Sequence, residues 1–147
     1  MTNYVTCYFS PNKGAAKAII GFINRCEHSL DIAVYAITHD EISQAIIDAH
    51  KKGVKVRVIT DNLQASNVYS DDELLQEAGI PILKTRKAGS MHHKFVIGDN
   101  NAIGTGSFNW TLNADRRNNE NFVIIRLKYV IKSYQKQFDL LWCDYSK

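Results

Sequence analysis

The sequence predicts an α/β fold, with a mixed, mostly parallel β-sheet covered by helices. Three observations carry that expectation. Short β-branched runs alternate with segments of helical periodicity through the first half of the chain. Glycines stop two of the helical segments. The 147 residues, 45% of them hydrophobic, suffice for one packed core and are short for two. One domain spanning residues 1–147 is therefore expected.

Taken in order, Tyr4 to Phe9 reads as a first strand, and Ser10-Pro11-Asn12 leads into a helix. Its apolar positions Ala15, Ala18, Ile19, Phe22 and Ile23 recur at helical spacing through Asn24. Leu30 to Ile37 is uniformly apolar after Asp31, as a buried strand is. Asp40 is a candidate cap for a second helix, whose stripe of Ile42, Ala45, Ile46 and Ala49 ends at Gly53. Val54 to Thr60 alternates as a strand. Asp71 to Ala78 predicts a helix stopped by Gly79, followed by the short strand Ile80-Pro81-Ile82-Leu83. Two more strands, near His93 to Ile97 and Ala102 to Thr105, flank the turn residues Asp99-Asn100-Asn101. Asn121 to Arg126 is a further strand and Tyr129 to Trp142 a closing helix.

The bulk properties exclude more than they identify. A net charge of +3 and 22% charged residues argue against disorder and name no partner. Cys7, Cys26 and Cys143 lie far apart, without C-x-x-C or zinc-type spacing, which fits a reducing compartment. No apolar stretch suits a signal peptide or a membrane span, so a cytoplasmic location is expected, or a periplasmic or secreted one if a leader has been removed.

The chemistry concentrates in "SMHHKFVIGDNNAIGTGSFNW", residues 90–110. On a strand, side chains two apart share a face, so His92 and Lys94 should point together, as should Ser107 and Asn109. Gly104 and Gly106 leave room for backbone or ligand to approach. Together the set suits a tetrahedral anion: lysine brings charge, serine and asparagine bring neutral donors, and histidine attacks or transfers a proton. Singly, each residue has an ordinary structural explanation. Their joint spacing does not.

That spacing is H-x-K-x4-D-x6-G-S-x-N, filled by His92, Lys94, Asp99, Gly106, Ser107 and Asn109. It resembles the His-Lys-Asp signature of the phospholipase D superfamily. "SLDIAVYAIT", "GVKVRVIT" and "ENFVII" are similar to the small, single-motif Nuc-type bacterial endonucleases of that superfamily, over about residues 4–142. The resemblance implies that His92 attacks phosphorus and forms a phosphohistidine. It implies that Lys94 and Asn109, assisted by Ser107, hold the non-bridging oxygens. Glu120 would orient a catalytic imidazole, while Asp99 and Gly106 would be structural parts of the motif. His93, at the variable position, is given no catalytic role.

Phosphodiester cleavage also needs a general acid for the leaving alkoxide, and this chain carries one motif only. A homodimer is therefore expected, with two copies of His92 facing each other across a two-fold axis. Convergent carboxylates of a two-metal site are missing from the segment, so no metal and no cofactor are expected. Lys84, Arg86 and Lys87 form a basic approach suited to nucleic acid, DNA first and RNA as a further substrate; Arg116 and Arg117 read equally well as solvated surface. Stable membrane association is not expected. The reading is thus a metal-independent, non-specific endonuclease. The alternatives are a phospholipid phosphodiesterase and a catalytically inactive nucleic-acid binding module.

Overall fold

A computed structural model describes residues 3–11, 14–65, 70–85 and 88–147. Its centre is a seven-stranded sheet. The strands are β1 (Val5–Ser10), β2 (Ser29–Val34), β3 (Lys55–Thr60), β4 (Ile82–Lys84), β5 (Lys94–Gly98), β6 (Ala102–Gly106) and β7 (Glu120–Ile125). They lie side by side in the order β1-β7-β6-β5-β2-β3-β4. The mixed sheet agrees with the sequence; its "mostly parallel" character does not. Only the β2–β3 and β3–β4 pairings are parallel, whereas β1–β7, β2–β5, β5–β6 and β6–β7 are antiparallel. Helical crossovers, which parallel pairing needs, occur in the first half of the chain. The second half turns back tightly instead. At Asp99 and Asn100 the φ angles are +50° and +53°, and Asn101 N–H donates to the Gly98 carbonyl at 2.9 Å. Two successive positive-φ residues make a hairpin turn whose twist matches that of its strands.

Helices cover both faces. On one side lie α1 (Gly14–Asn24), α2 (Asp40–Lys51), α4 (Asp72–Glu77) and α5 (Leu112–Arg116), while α3 (Asn62–Ala65) is a single turn after β3 and α6 (Lys128–Tyr145) closes the chain. Ile19, Phe22 and Ile23 of α1, Ile42 and Ile46 of α2, Leu75 of α4 and Ala114 of α5 share one core with Leu30, Ile32, Val34, Val58, Val96, Phe122 and Ile124 of the sheet. Alternate strand residues Ala33, Ile59, Phe95, Ile97 and Ile103 pack the other way, against Ile131 and Phe138 of α6. A side chain as fully buried as Phe138 contributes about 1.5–3 kcal/mol through the area it removes from water.

Polar contacts fix α6 in place. Buried Asp31 receives two bonds from Arg57, Nε to Oδ1 at 2.8 Å and Nη2 to Oδ2 at 2.7 Å, and a third from Gln135 of α6 at 2.9 Å. Arg57 also donates to Asp139 at 3.1 Å, and its guanidinium lies 4.8 Å from the Phe138 ring centroid. Hydrogen bonding to Asp31 leads the causes that hold the Arg57 pKa above its ordinary value. Register places Asp31 beside Arg57, so the pair is built into β2–β3 pairing.

Smaller expectations need correction. His39, extended at φ −104°, occupies the cap position of α2, and Asp40 is the first helical residue. Its charge still suits the helix N-terminus. The strand read as Leu30–Ile37 is regular only to Val34: Tyr35 N–H still bonds the His93 carbonyl in register at 2.9 Å, but the chain bends at Tyr35 and the pairing goes no further. Similarly, α4 begins at Asp72, with Asp71 at its cap position and its carboxylate bound by Ser43 at 2.7 Å. Among the described residues no helix is long and apolar enough to cross a membrane.

Candidate active site

Strand directions bring the chemistry-bearing residues to one pole. Strands β2, β3 and β4 end there at Val34, Thr60 and Lys84, and β5 begins there at Lys94, paired with Val34. At the same pole β6 ends at Gly106 and β7 begins at Glu120, opposite Ser10 of β1.

His92 and Lys94 meet at this pole, though not as two residues of one strand. His92 precedes β5 in an irregular segment. Lys94 Nζ lies 3.1 Å from its Nδ1 and 3.4 Å from its Nε2, and donates to its carbonyl at 2.8 Å. An ammonium only donates, so the ring nitrogen facing it accepts. Burial lowers the Lys94 pKa, partly opposed by the charge of Glu120. Tyr35 completes the cluster. Its ring centroid is 4.7 Å from that of His92 and 5.2 Å from Lys94 Nζ, and its hydroxyl accepts from Gln64 at 3.1 Å. His92 is exposed.

Ser107 and Asn109 likewise lie beyond the end of β6, so a shared strand face does not orient them. Ser107 Oγ donates a short hydrogen bond to Glu120 and accepts from Asn121 N–H at 3.1 Å and Nδ2 at 3.3 Å. Asn118 Nδ2 reaches the other Glu120 oxygen at 3.1 Å. Glu120 is thus tied to the Ser107 segment within the chain, rather than to the His92 ring. Gly106 makes that approach possible. A methyl group on it would overlap the Asn121 carbonyl oxygen, and its φ is +156°. Asn109 is half-buried, and its Oδ1 finds no hydrogen-bond partner among the described residues.

Asp99 sits at the opposite end of β5. Its carboxylate accepts from the backbone N–H of Glu27 at 2.9 Å, His28 at 2.7 Å and Ser29 at 2.9 Å. Burial raises its pKa, and these three bonds outweigh that to leave it below the usual carboxylate value. Lys84, at the site pole, is held by an ion pair with buried Asp72 at 2.5 Å. It stands three strands from Lys94 in the sheet order, about 14 Å at the usual strand spacing. An ammonium committed to a buried carboxylate is a weaker candidate for substrate than a free one. Arg86 and Lys87 lie outside the described residues. Arg116 and Arg117 are exposed on the way to Glu120. Among the described residues no three His, Cys, Asp or Glu side chains gather as metal ligands would.

Sequence reasoning missed one contributor and one buried polar pair. Tyr35 reaches the site from the bend just after β2, distant in sequence, with no spacing to betray it. His39 and Asp115, both buried and 3.3 Å apart, join the segment after β2 to α5.

Residues 19–142 match the family described as "Cardiolipin synthase, PLD-like domain". The chain belongs to the phospholipase D superfamily. It is 40% identical over 136 residues to a mitochondrial cardiolipin hydrolase of Chlamydomonas reinhardtii, covering 92% of this chain and 61% of that protein. A phospholipase D of Rickettsia prowazekii (strain Madrid E) is 35% identical over 133 residues, covering 90% of this chain and 64% of that one. The chain therefore spans less than two thirds of the length of these two relatives. Among solved structures, the phospholipase D family member Nuc from Salmonella typhimurium superposes with a TM-score of 0.88 at 28% identity, covering 94% of this chain and 93% of that one. NucT from Helicobacter pylori shares the fold, with a TM-score of 0.86 at 24% identity over 92% of each chain. The relatives named for a reaction are enzymes that act on phosphodiesters, and the superfamily is one of phosphodiesterases.

Proposed function

We propose that this chain is a metal-independent phosphodiesterase that cuts nucleic acid strands, DNA first, with His92 as the nucleophile. The observation that carries the reading is the meeting of His92 and Lys94 at an open pole, beside the Ser107–Glu120 pair. In the first step a ring nitrogen of His92 forms a bond to phosphorus and the P–O bond to the leaving alkoxide breaks. Lys94 turns its donors from the imidazole to the non-bridging oxygens, where charge grows in the transition state. Asn109, through its amide N–H donors, and Ser107 flank the same anion. Water then displaces the histidine, releasing a phosphomonoester.

The alkoxide needs a proton, and the chain offers one motif. A second copy supplies it: one His92 attacks while the partner copy's His92 protonates the leaving group, then takes a proton from water. An uncovered strip of sheet supports this assembly. In β1, Tyr8 packs toward α1 and the residues on either side of it point to the opposite face. On that face Val5 and Phe9 are 48% and 58% exposed, and Cys7 is exposed as well. Phe9 pairs with Asn121, which bonds Ser107, so the strip runs directly into the site. Glu120 is then available to the imidazole of the partner copy.

The nucleic-acid reading rests on the likeness to Nuc and on the exposed arginines leading to Glu120. A phospholipid substrate is the second reading, favoured by the printed names of the cardiolipin hydrolase and phospholipase D relatives. Incubation with plasmid, single-stranded DNA, RNA and cardiolipin vesicles in excess chelator, beside His92→Ala, decides between them. Nicked or degraded nucleic acid that depends on His92 supports the proposal. Phosphatidic acid release with nucleic acid intact replaces it with the second reading.

A further inference from the structure

Beside His92 lies a cavity that the proposed chemistry does not use. Its volume is about 300 Å³, and Ser90, Met91, His92, His93, Leu141 and Tyr145 line it. Four features suggest a built receptor rather than a surface dent. His92 is among the lining residues, so the cavity adjoins the place where phosphorus would react. His93 is braced, its ring centroid 5.2 Å from Phe95 in an edge contact, and Phe95 is braced in turn by Tyr134 at 5.0 Å. The floor is fixed as well: Met91 is 2% exposed, and its N–H donates to buried Asp61 at 2.9 Å. Opposite stand Leu141 and Tyr145 from the last turns of α6, packed against the α6-side core.

We propose that this cavity receives one unstacked nucleobase next to the scissile phosphate, against the rings of His93 and Tyr145. This rests on the nucleic-acid reading above and extends it to a subsite. Size argues for the assignment: about 300 Å³ is the low end of ligand pockets, enough for a planar base and too small for the paired acyl chains of a phospholipid. Lining chemistry agrees, since the imidazole of His93 and the phenol of Tyr145 offer ring faces on which bases stack without regard to sequence. Burial, then the charges of Lys94 and His92, lower the His93 pKa, so its ring is neutral near pH 7 and offers a face for stacking. A base can enter only if it leaves its own stack, so single strands should be cut faster than duplex.

The test is a cycle on a short single-stranded oligonucleotide, ordinary or abasic beside one phosphate, with wild-type protein, Tyr145→Ala and Tyr145→Phe. Base stacking of this kind is lost about 5- to 150-fold on truncation. The ratio of kcat/KM for ordinary over abasic substrate should therefore lie in that range for the wild type. It should fall toward one in Tyr145→Ala and hold in Tyr145→Phe, with thermal melting showing that each variant is folded. Equal cleavage of ordinary and abasic sites by the wild type overturns the subsite alone. A ratio unchanged in folded Tyr145→Ala does so too. A wild type that leaves every oligonucleotide intact while hydrolysing phospholipid overturns the nuclease reading, and the subsite falls with it.

Discussion

Asp99 offers a sharp separation between holding the fold and doing chemistry, because it is a signature residue placed far from His92 along β5. Its three accepted bonds tie the β5–β6 turn to the segment that opens β2. Bonds to an ionised acceptor contribute about 1.5–3 kcal/mol each when desolvated. Here the Glu27 and His28 bonds are exposed, where water substitutes, and only the Ser29 bond is half-buried, so most of that figure is discounted. Alanine would also have to hold φ +50°, which aspartate tolerates better. Asp99→Ala should therefore destabilise the chain by about 2–3 kcal/mol, or about 5–10 °C in Tm. Asp99→Asn keeps one acceptor oxygen for the two shared Oδ1 bonds and should cost about 0.5–1 kcal/mol. Because the folded pKa is depressed, the charged form's contribution is complete above the ordinary carboxylate value of 3.8 and is lost as pH falls through the folded pKa. The gap between wild type and Asp99→Asn should accordingly narrow below about pH 4. Melting by circular dichroism from pH 3 to 7, with kcat measured below the Tm of each variant, provides the assay. Turnover abolished in Asp99→Asn at unchanged Tm would refute the reasoning, since it would make the carboxylate a chemical participant.

Arg57→Met leaves buried Asp31 with only Gln135 as donor. It should destabilise by about 2–3 kcal/mol, below the ~3–5 typical of a fully buried broken pair, as read by urea unfolding. Gly106→Ala should displace Ser107 and Glu120 by forcing the Asn121 carbonyl aside, lowering kcat by more than tenfold; full activity in a folded variant would show that the Ser107 segment is not held as described. Phe9→Glu places a charge on the uncovered strip beside the site and should shift a dimer toward monomer in sedimentation, with activity falling in parallel. Excess chelator should leave activity unchanged; loss restored by Mg²⁺ or Mn²⁺ would contradict the metal-independent reaction.

Much of the fold was legible because burial imposes periodicity. Ile42, Ala45, Ile46 and Ala49 are all buried on α2, as their spacing requires. What periodicity does not encode is the pairing partner. The alternation of β6 and β7 reads the same whether their neighbours run parallel or antiparallel, and the crossovers that force parallel pairing stop after β4. Short helices also escaped. Four residues of α3 and five of α5 give too little length for a repeat, although Thr111, whose hydroxyl accepts from Ala114 N–H at 3.1 Å, carried a cap signal for α5. At the site, the spacing of His92 and Lys94 pointed to their meeting, but by a face-sharing argument that the structure replaces with an irregular segment before β5. Tyr35 was invisible because tertiary packing alone brings it to the imidazole. Lys84 looked free in a basic run until the sheet set it beside Asp72.

The central claim is a covalent bond between phosphorus and a ring nitrogen of His92. Rapid quenching of the protein in alkali with a substrate labelled at phosphorus tests it most directly. The account predicts an acid-labile, base-stable adduct that maps to residue 92, forms and decays at rates compatible with turnover, and vanishes in His92→Ala. Turnover without any labelled protein, or label on another residue while His92→Ala stays active, would contradict it.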